Sequence, residues 1–312
     1  MNKFNSRSMI IFIILGIVVF TVLIFYGDYH EVLKSIHLIT PQTVLILVAL
    51  TFMNYIFRFL KWQYFLKVLN IKTSFKNSFL IFFSGLAMSI TPGKVGEILK
   101  SYLLKQTDKV KMKKSLMIVF TERVTDVIGL ALLSLLGISS FFFHLNSIFL
   151  ILVVIIAMII TLTNEKIFFK LSGIAEKFPV VGKYARNMEE VYKSSKALMS
   201  VKSLTFSILI SVVSWFFECL ALYVLLLNLG TPLSIFNSTF IFSFSSIFGA
   251  VLVLPGGLGA AEGSFLALLL LSGLPKTIAV LATIIIRICT LWFGFVLGLI
   301  SFFLLNRRLG KP

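Results

Sequence analysis

Long apolar stretches alternate with short polar ones along most of the chain. Six of these stretches are long enough to cross the ~30 Å hydrocarbon core of a bilayer as helices. They are residues 9–26, 41–60, 115–138, 147–163, 203–228 and 277–305. This pattern predicts an all-α polytopic membrane protein. A signal peptide is the competing interpretation of the first stretch, but no small-residue cleavage site follows it.

Two further apolar regions, 75–106 and 235–273, are each interrupted by a Pro/Gly turn. Their arms are short or polar, which is typical of half-helices that enter the membrane and return. Non-helical backbone at membrane depth is tolerated where it is buried in protein or lines a cavity. We predict two broken or re-entrant helical hairpins, and six to ten membrane segments depending on whether the hairpins span fully.

The two interrupted regions resemble each other. Asn77-Ser78 recurs as Asn237-Ser238, the turn at 92–96 recurs at 255–259, and Arg123 recurs as Arg287. We therefore predict one integral membrane domain over 1–312. It comprises a repeat at about 41–138, a linker crossing with an amphipathic loop at 139–202, and a second repeat at about 203–305.

The distribution of charged residues predicts the orientation of the chain in the membrane. The chain is 58% hydrophobic and carries a net charge of +17, with 29 Lys and Arg residues. All but Lys34, Arg123, Lys276 and Arg287 fall on one side of the predicted topology, together with both termini. This distribution follows the positive-inside rule and argues against nucleic-acid binding. It predicts a plasma membrane protein with cytoplasmic termini.

With this orientation the two repeats are inverted. Their hairpins would approach the middle of the bilayer from opposite faces, an arrangement typical of alternating-access transporters. The basic loop 164–202 is either a helix on anionic headgroups or a solvated connector. Arg58, Lys61 and Trp62 are expected to end the second crossing, as interface anchors or as phosphate ligands.

Ionisable residues within apolar segments are costly in lipid, so they must pair or face a polar cavity. Six such residues are Glu122, Arg123, Asp126, Glu218, Glu262 and Arg287, with a net charge of −2. A proton, Lys94 or a cationic ligand is expected to balance that charge. Salt bridges that only lock helices together are the alternative role. The candidate substrate-binding residues are these six with Lys61, Lys94 and Glu97.

The hairpin turns are the second candidate feature. Proline ends the first half-helix, glycine permits unusual backbone, and the next half-helix presents free N–H groups that attract phosphate or carboxylate. Glu97 and Glu262 fall in the first turn of the following helix, where acids also serve as caps. The turn residues are Pro92, Gly93, Gly96, Pro255, Gly256 and Gly259.

Catalytic chemistry has no support in the sequence. The chain contains no phosphate-binding loop, nucleophile elbow or metal-ligand spacing, and its two cysteines lie in apolar segments. We expect no catalytic residue, no metal and no cofactor.

The chain resembles the lysylphosphatidylglycerol synthase membrane-region, or flippase-like, family. The matching segments are FRFLKW at 57–62, TPGKVGEILKSYLL at 91–104, FTERVTDVIGL at 120–130, LPGGLGAAEGSFLALLL at 254–270, and Arg287. Lys61 and Lys94 stand where the family often has Arg, which keeps the charge but not bidentate phosphate geometry. The family's soluble aminoacyl-transferase domain is expected to be absent.

The resemblance implies handling of lipids, and with the inverted repeat it predicts a flippase. Such a protein would move a phospholipid or lipid-linked headgroup between leaflets. The expected partners are anionic, aminoacylated or polyprenyl-phosphate-linked lipids, with a second copy or a lipid synthase also compatible. The alternative is a membrane-embedded transferase or accessory factor in a lipid-linked glycan or aminoacyl-lipid pathway.

Overall fold

The computed structural model describes residues 6–90, 97–138, 163–175, 196–252 and 254–310, with six positions between 153 and 161. Its regular elements in these ranges are all helical. The first half contains α1 Ser6–Tyr26, α2 Tyr29–Ser35, α3 Pro41–Val68, α4 Phe75–Leu86, α5 Leu99–Asp108 and α6 Met112–Leu135. The second contains α7 Glu165–Ala175, α8 Val201–Asn228, α9 Ile235–Val251, α10 Ala260–Leu271, α11 Lys276–Arg287 and α12 Phe293–Arg308.

Three helical spans are long and apolar enough to cross a membrane within the described ranges: α3, α8 and the continuous stretch Lys276–Arg308. The bent pair of α1 and α2, which turns by 99°, makes a fourth candidate. The predicted crossing 115–138 is helical as α6, but α6 is not among these apolar spans because charged residues interrupt its sequence. The predicted crossing 147–163 lies largely outside the described residues. The predicted number of segments therefore stays a prediction.

Helices α3 and α8 have the same local construction at an offset of 160 residues. Each has 28 residues, and the side chains of Thr40 and Ser200 cap their first turns. Both end in a left-handed residue, Asn70 with φ 50° and Gly230 with φ 71°. The N–H of the following residue bonds back to Leu66 in α3 and to Leu226 in α8, the hydrogen bond of a Schellman motif.

The next helices repeat the pattern. Ser74 and Ser234 lie 160 residues apart and cap α4 and α9 through hydrogen bonds from the N–H groups of Asn77 (3.2 Å) and Asn237 (3.1 Å). The same capping chemistry therefore fixes where each hairpin's first arm begins.

The equivalent helices α3 and α8 pack together and run antiparallel. Thr43, near the start of α3, donates to Asn228 at the end of α8 (3.0 Å). Tyr64, near the end of α3, packs against Phe206 near the start of α8, with ring centroids 4.5 Å apart. Between these contacts Asn54 donates to the carbonyl of Ser214 (2.9 Å), its equivalent at offset 160. An antiparallel pair of equivalent helices is what an inverted repeat requires, although the orientation in a membrane stays a prediction.

The first arm of each hairpin packs against a helix of the other half. Helix α4 of the first half packs along α12, and α9 of the second half packs along α6. The close approach of α4 to α12 depends on Gly298, where an added Cβ would collide with the backbone of Ala87. The first arm of each hairpin therefore packs on the last helix of the opposite half, while the second arms, α5 and α10, pack on α6 and α11 of their own halves.

The prediction that α3 ends near residue 60 is wrong. The helix continues to Val68 because Trp62, Phe65 and Leu66 pack into the apolar core. Arg58 and Lys61 consequently lie buried within the helix and do not anchor its end.

The described part of the basic loop 164–202 packs against the bundle. Phe168 of α7 is buried in the same apolar cluster as Phe65 and Leu198. The helix is amphipathic, as expected; Phe168 and Phe169 pack on the protein, while Ile174 is exposed. Residues 176–195 of this loop lie outside the described ranges.

Candidate functional site: a cavity between the two halves

A cavity of about 280 Å³ lies where α3, α6, α8, α9 and the π turn that follows α11 meet. Its walls contain apolar side chains such as Leu130 and Phe242 and the aromatic rings of Tyr55 and Trp215. Six ionisable residues also line it, namely Arg58, Glu97, Arg123, Asp126, Glu218 and Arg287. Both halves contribute charges, so the cavity is a shared site.

Asp126 is the centre of an ion-pair cluster in the first half. Its Oδ1 lies 2.5 Å from the ammonium of Lys61, and its Oδ2 lies 3.1 Å from Nη2 of Arg123 and 3.9 Å from Nε of Arg58. Lys61 also donates to Ser211 of α8 (2.8 Å). One carboxylate on α6 thereby ties α3 to α6, and Lys61 extends the tie to α8.

A second carboxylate pair extends this cluster to the first hairpin. Lys100 bonds to Glu122 and lies 3.4 Å from Glu97. Nη2 of Arg123 lies 3.2 Å from the same Glu97 oxygen and 3.1 Å from Asp126. The Lys100 ammonium is also 5.1 Å from the centroid of the Trp62 ring. The start of α5 is thus fixed to α6 by buried charge.

The second half has a simpler arrangement. Arg287 donates from Nε to Glu262 (2.6 Å) and from Nη2 to the carbonyl of Gly256 (2.9 Å). The other oxygen of Glu262 accepts the N–H of Gly259 (2.8 Å), which caps α10. Gly256 and Gly259 have φ values of 62° and 84°, a conformation that glycine adopts without strain. The second hairpin tip is therefore held by one arginine and its own backbone.

Three cations that the sequence argument left out of the balance, Arg58, Lys61 and Lys100, join the buried pairs. Among the described residues, five cations and five carboxylates then balance formally: Arg58, Lys61, Lys100, Arg123, Arg287, Glu97, Glu122, Asp126, Glu218 and Glu262. The expected contribution of a proton or of Lys94, which lies outside the described residues, stays a prediction. Buried charges are tolerated when they are paired in this way.

The structure divides the predicted site residues into two groups. Arg123, Arg287, Asp126, Glu218 and Glu97 line the cavity, whereas Lys61, Glu122 and Glu262 lie behind its wall as ion-pair partners. In the second turn, Gly256 lines the cavity, Pro255 begins a short 3-10 turn, and Gly259 precedes α10. Lys94, Pro92, Gly93 and Gly96 lie outside the described residues.

Two cavity features differ from what the sequence predicted. Arg58, which the sequence placed at the end of the second crossing as an interface anchor or a phosphate ligand, lines the wall of the cavity with its guanidinium 5.3 Å from the Trp215 ring centroid. Residues Ile288–Trp292 form a π turn directly after Arg287, where the sequence predicted an uninterrupted helix. Nothing in the local sequence marks that turn.

The comparisons with known proteins agree on one family. Residues 13–298 match the family described as the lysylphosphatidylglycerol synthase TM region. A UPF0104 membrane protein of Methanothermobacter thermautotrophicus is 23% identical over 319 residues, covering 92% of this chain and 93% of that protein. The UPF0104 membrane protein MJ1595 of Methanocaldococcus jannaschii is 23% identical over 330 residues, covering 98% and 97%.

The similarity to these relatives spans almost the whole of each chain, and the matched region contains every described charge of the cavity. Together with the membrane-length helices, it shows that this is a membrane protein. The chain belongs to the lysylphosphatidylglycerol synthase transmembrane-region family.

Proposed function

We propose that this protein is a flippase that moves a phosphate-bearing lipid headgroup between the leaflets of the plasma membrane by alternating access. The observation that carries the proposal is the cavity between the two halves, which three arginines line from both sides: Arg58, Arg123 and Arg287. The guanidinium group presents several N–H donors in a plane and suits phosphate better than a lysine does. The volume of about 280 Å³ suits a headgroup, while the acyl chains would stay in lipid.

The arginines are accessible to a ligand to different degrees. The side chains of Arg123 and Arg287 are 21% and 11% exposed, whereas the acids that pair with them are nearly inaccessible. Nε of Arg123 makes no hydrogen bond to any described residue. A buried donor without a partner is costly, and a phosphate oxygen would satisfy it.

Ion-pair exchange is the mechanism that this geometry supports. Since Arg123 and Arg287 already pair with carboxylates, an incoming phosphate competes with those carboxylates for the same guanidinium groups. Binding would loosen the Arg287–Glu262 and Arg123–Glu97 contacts, and both connect a last helix to a hairpin. Because α3 and α8 are antiparallel equivalents, the two halves could exchange conformations about the site, as inverted repeats do.

We infer transport rather than catalysis. The family description names a synthase, but the match is to its transmembrane region, and no synthase step is assigned to this chain. The basic residues at one end of the helices favour a topology with both termini in the cytoplasm.

The test is leaflet exchange by the purified protein. Liposomes containing the protein and a fluorescent phosphatidylglycerol should lose the protected half of their fluorescence to an external quencher faster than protein-free liposomes. Arg123→Ala and Arg287→Ala should each slow exchange by about tenfold or more, because each removes a charge-assisted contact to the phosphate. Lys196→Ala, which removes a surface cation whose side chain is 68% exposed, is the control.

Both arginine variants are expected to remain folded. Without Arg123, Asp126 keeps Lys61 and Glu97 keeps Lys100. Without Arg287, Glu262 keeps the N–H of Gly259. Wild-type exchange rates in both variants would overturn the site. Chemical conversion of the labelled lipid without exchange would replace transport by a transferase reaction.

A further inference from the structure

The π turn Ile288–Trp292 separates two contacts of one continuous helical span. Before it, Arg287 reaches the second hairpin tip at Glu262 and Gly256. After it, Gly294 faces Tyr55 of α3, at the site where an added Cβ would collide with the tyrosine hydroxyl. These neighbours belong to different halves of the molecule. Single π turns inside α-helices occur frequently at functional sites.

The π turn allows both contacts at once. In an uninterrupted α-helix, residues seven apart lie within about 20° of the same face. One inserted residue adds about 100° of rotation between the segments that flank it. Arg287 and Gly294, which are seven apart, both line the cavity but contact different halves of the molecule. Without the insertion, Arg287 would leave the span at a different angle from the segment that packs on α4.

Tyr55 holds the π turn from the opposite half. Its hydroxyl donates to the carbonyl of Thr290 within the turn (2.8 Å), and its ring stacks on Phe293 with centroids 6.1 Å apart. Tyr55 is 4% exposed and lines the cavity. A buried hydroxyl needs an acceptor. The carbonyl of Thr290 accepts from this hydroxyl in addition to the N–H of Phe293, so Tyr55 adds a bond from the opposite half to the backbone of the turn.

We propose that Tyr55 is a positioning residue that stabilises the π turn and thereby aims Arg287 at the ligand beside the second hairpin tip. The inference rests on the proposed function, because it assumes that Arg287 contacts the phosphate. It adds a residue from the first half that controls a ligand of the second half. The hydroxyl donates to the carbonyl of Thr290, so in this proposal it acts on the ligand through Arg287.

The test is a double-mutant cycle between Tyr55→Phe and Arg287→Ala. The Phe variant keeps the ring and loses only the hydroxyl. Binding of glycerol phosphate to the detergent-solubilised full chain would be measured by calorimetry, and exchange of fluorescent phosphatidylglycerol in liposomes would be measured in parallel. Tyr64→Phe makes the same chemical change on α3, away from the residues that line the cavity.

We expect Tyr55→Phe to weaken glycerol phosphate binding by about threefold to tenfold, the effect of one hydrogen bond. In the Arg287→Ala background, where residual affinity rests on Arg58 and Arg123, the same change should have no further effect. Tyr64→Phe should bind as the wild type does. Equal losses in both backgrounds would overturn the inference, because Tyr55 would then act independently of Arg287.

The same binding measurements distinguish a failure of the proposed phosphate site from a failure of the role of Tyr55. If Arg287→Ala itself binds glycerol phosphate with wild-type affinity, the phosphate site is wrong and the positioning role falls with it. If Arg287→Ala weakens binding and Tyr55→Phe does not, the site stands and only the role of Tyr55 is overturned.

Discussion

The two hairpins use the same arginine–glutamate pairing in different surroundings. Glu97 at the first hairpin contacts Arg123 of the last helix in its half, and Glu262 at the second contacts Arg287 in the same way. Arg123 also bridges to Asp126, within a cluster that includes Arg58, Lys61 and Lys100. Arg287 has one carboxylate and one backbone carbonyl. The first site is cross-linked by charge, while the second depends on a single pair.

The difference arises at equivalent positions of α3 and α8. Arg58 and Lys61 of α3 correspond, at an offset of 160, to Glu218 and Ala221 of α8. The helical frame is thus repeated closely, but its charges are not. We infer that a ligand which competes for Arg287 displaces fewer buried ionic contacts than one which competes for Arg123.

Removing the centre of the charged cluster should have the largest effect on stability. Asp126→Leu leaves Lys61 and Arg58 buried without their carboxylate, so we expect a loss of about 3–5 kcal/mol in the free energy of unfolding. Denaturant or thermal unfolding of the purified protein in detergent would measure it.

A paired replacement is the control for this variant. Lys61→Met combined with Asp126→Leu removes both charges of the closest pair and should recover a large part of the lost stability. A double variant as unstable as the sum of its two single variants would show that the cluster does not act through pairing.

Breaking the second site should cost less. In Glu262→Gln, Arg287 still donates to the carbonyl of Gly256 and remains partly exposed to the cavity. The glutamine oxygen can still accept the N–H of Gly259. We expect a loss of about 1.5–3 kcal/mol, the range for a hydrogen bond to a charged group. A loss equal to that of Asp126→Leu in the same unfolding experiment would contradict the asymmetry between the two sites.

The sequence predicted the long apolar helices better than it predicted the ion pairs of the candidate site. Apolar patterning located α3, α8 and the Lys276–Arg308 span, because burial in lipid or core imposes it on every residue. The Arg123–Asp126 pair follows from a spacing of three on one helix. The recruitment of Lys100 and Lys61 depends on which helices pack together, and the π turn depends on competing contacts to two neighbours. Local sequence encodes neither of these.

Substitution of the glycines at the second hairpin tip should have a smaller effect on the free energy of unfolding than loss of Asp126. At Gly256 an alanine Cβ would lie 2.7 Å from Cε2 of Phe12, in addition to the strain of a positive φ. At Gly259 the φ is also positive, but nothing described lies within 4 Å of the added Cβ. We expect Gly259→Ala to cost about 1–2 kcal/mol, the strain of one left-handed residue, and Gly256→Ala to cost more than that. Equal unfolding free energies for the two variants would show that Phe12 of α1 gives way and does not brace the tip.

The exposed pair of Lys196 and Glu165 should show the smallest effect and serves as a reference for the buried pairs. Its atoms lie 2.7 Å apart, comparable to the closest buried contacts, but the two side chains are 68% and 35% exposed. Water already solvates both charges, so the pair gains little by forming. We expect Lys196→Ala to change the unfolding free energy by less than about 0.5 kcal/mol. A larger loss would mean that docking of α7 on the bundle, through Phe168, depends on this pair, and that burial alone does not separate strong pairs from weak ones.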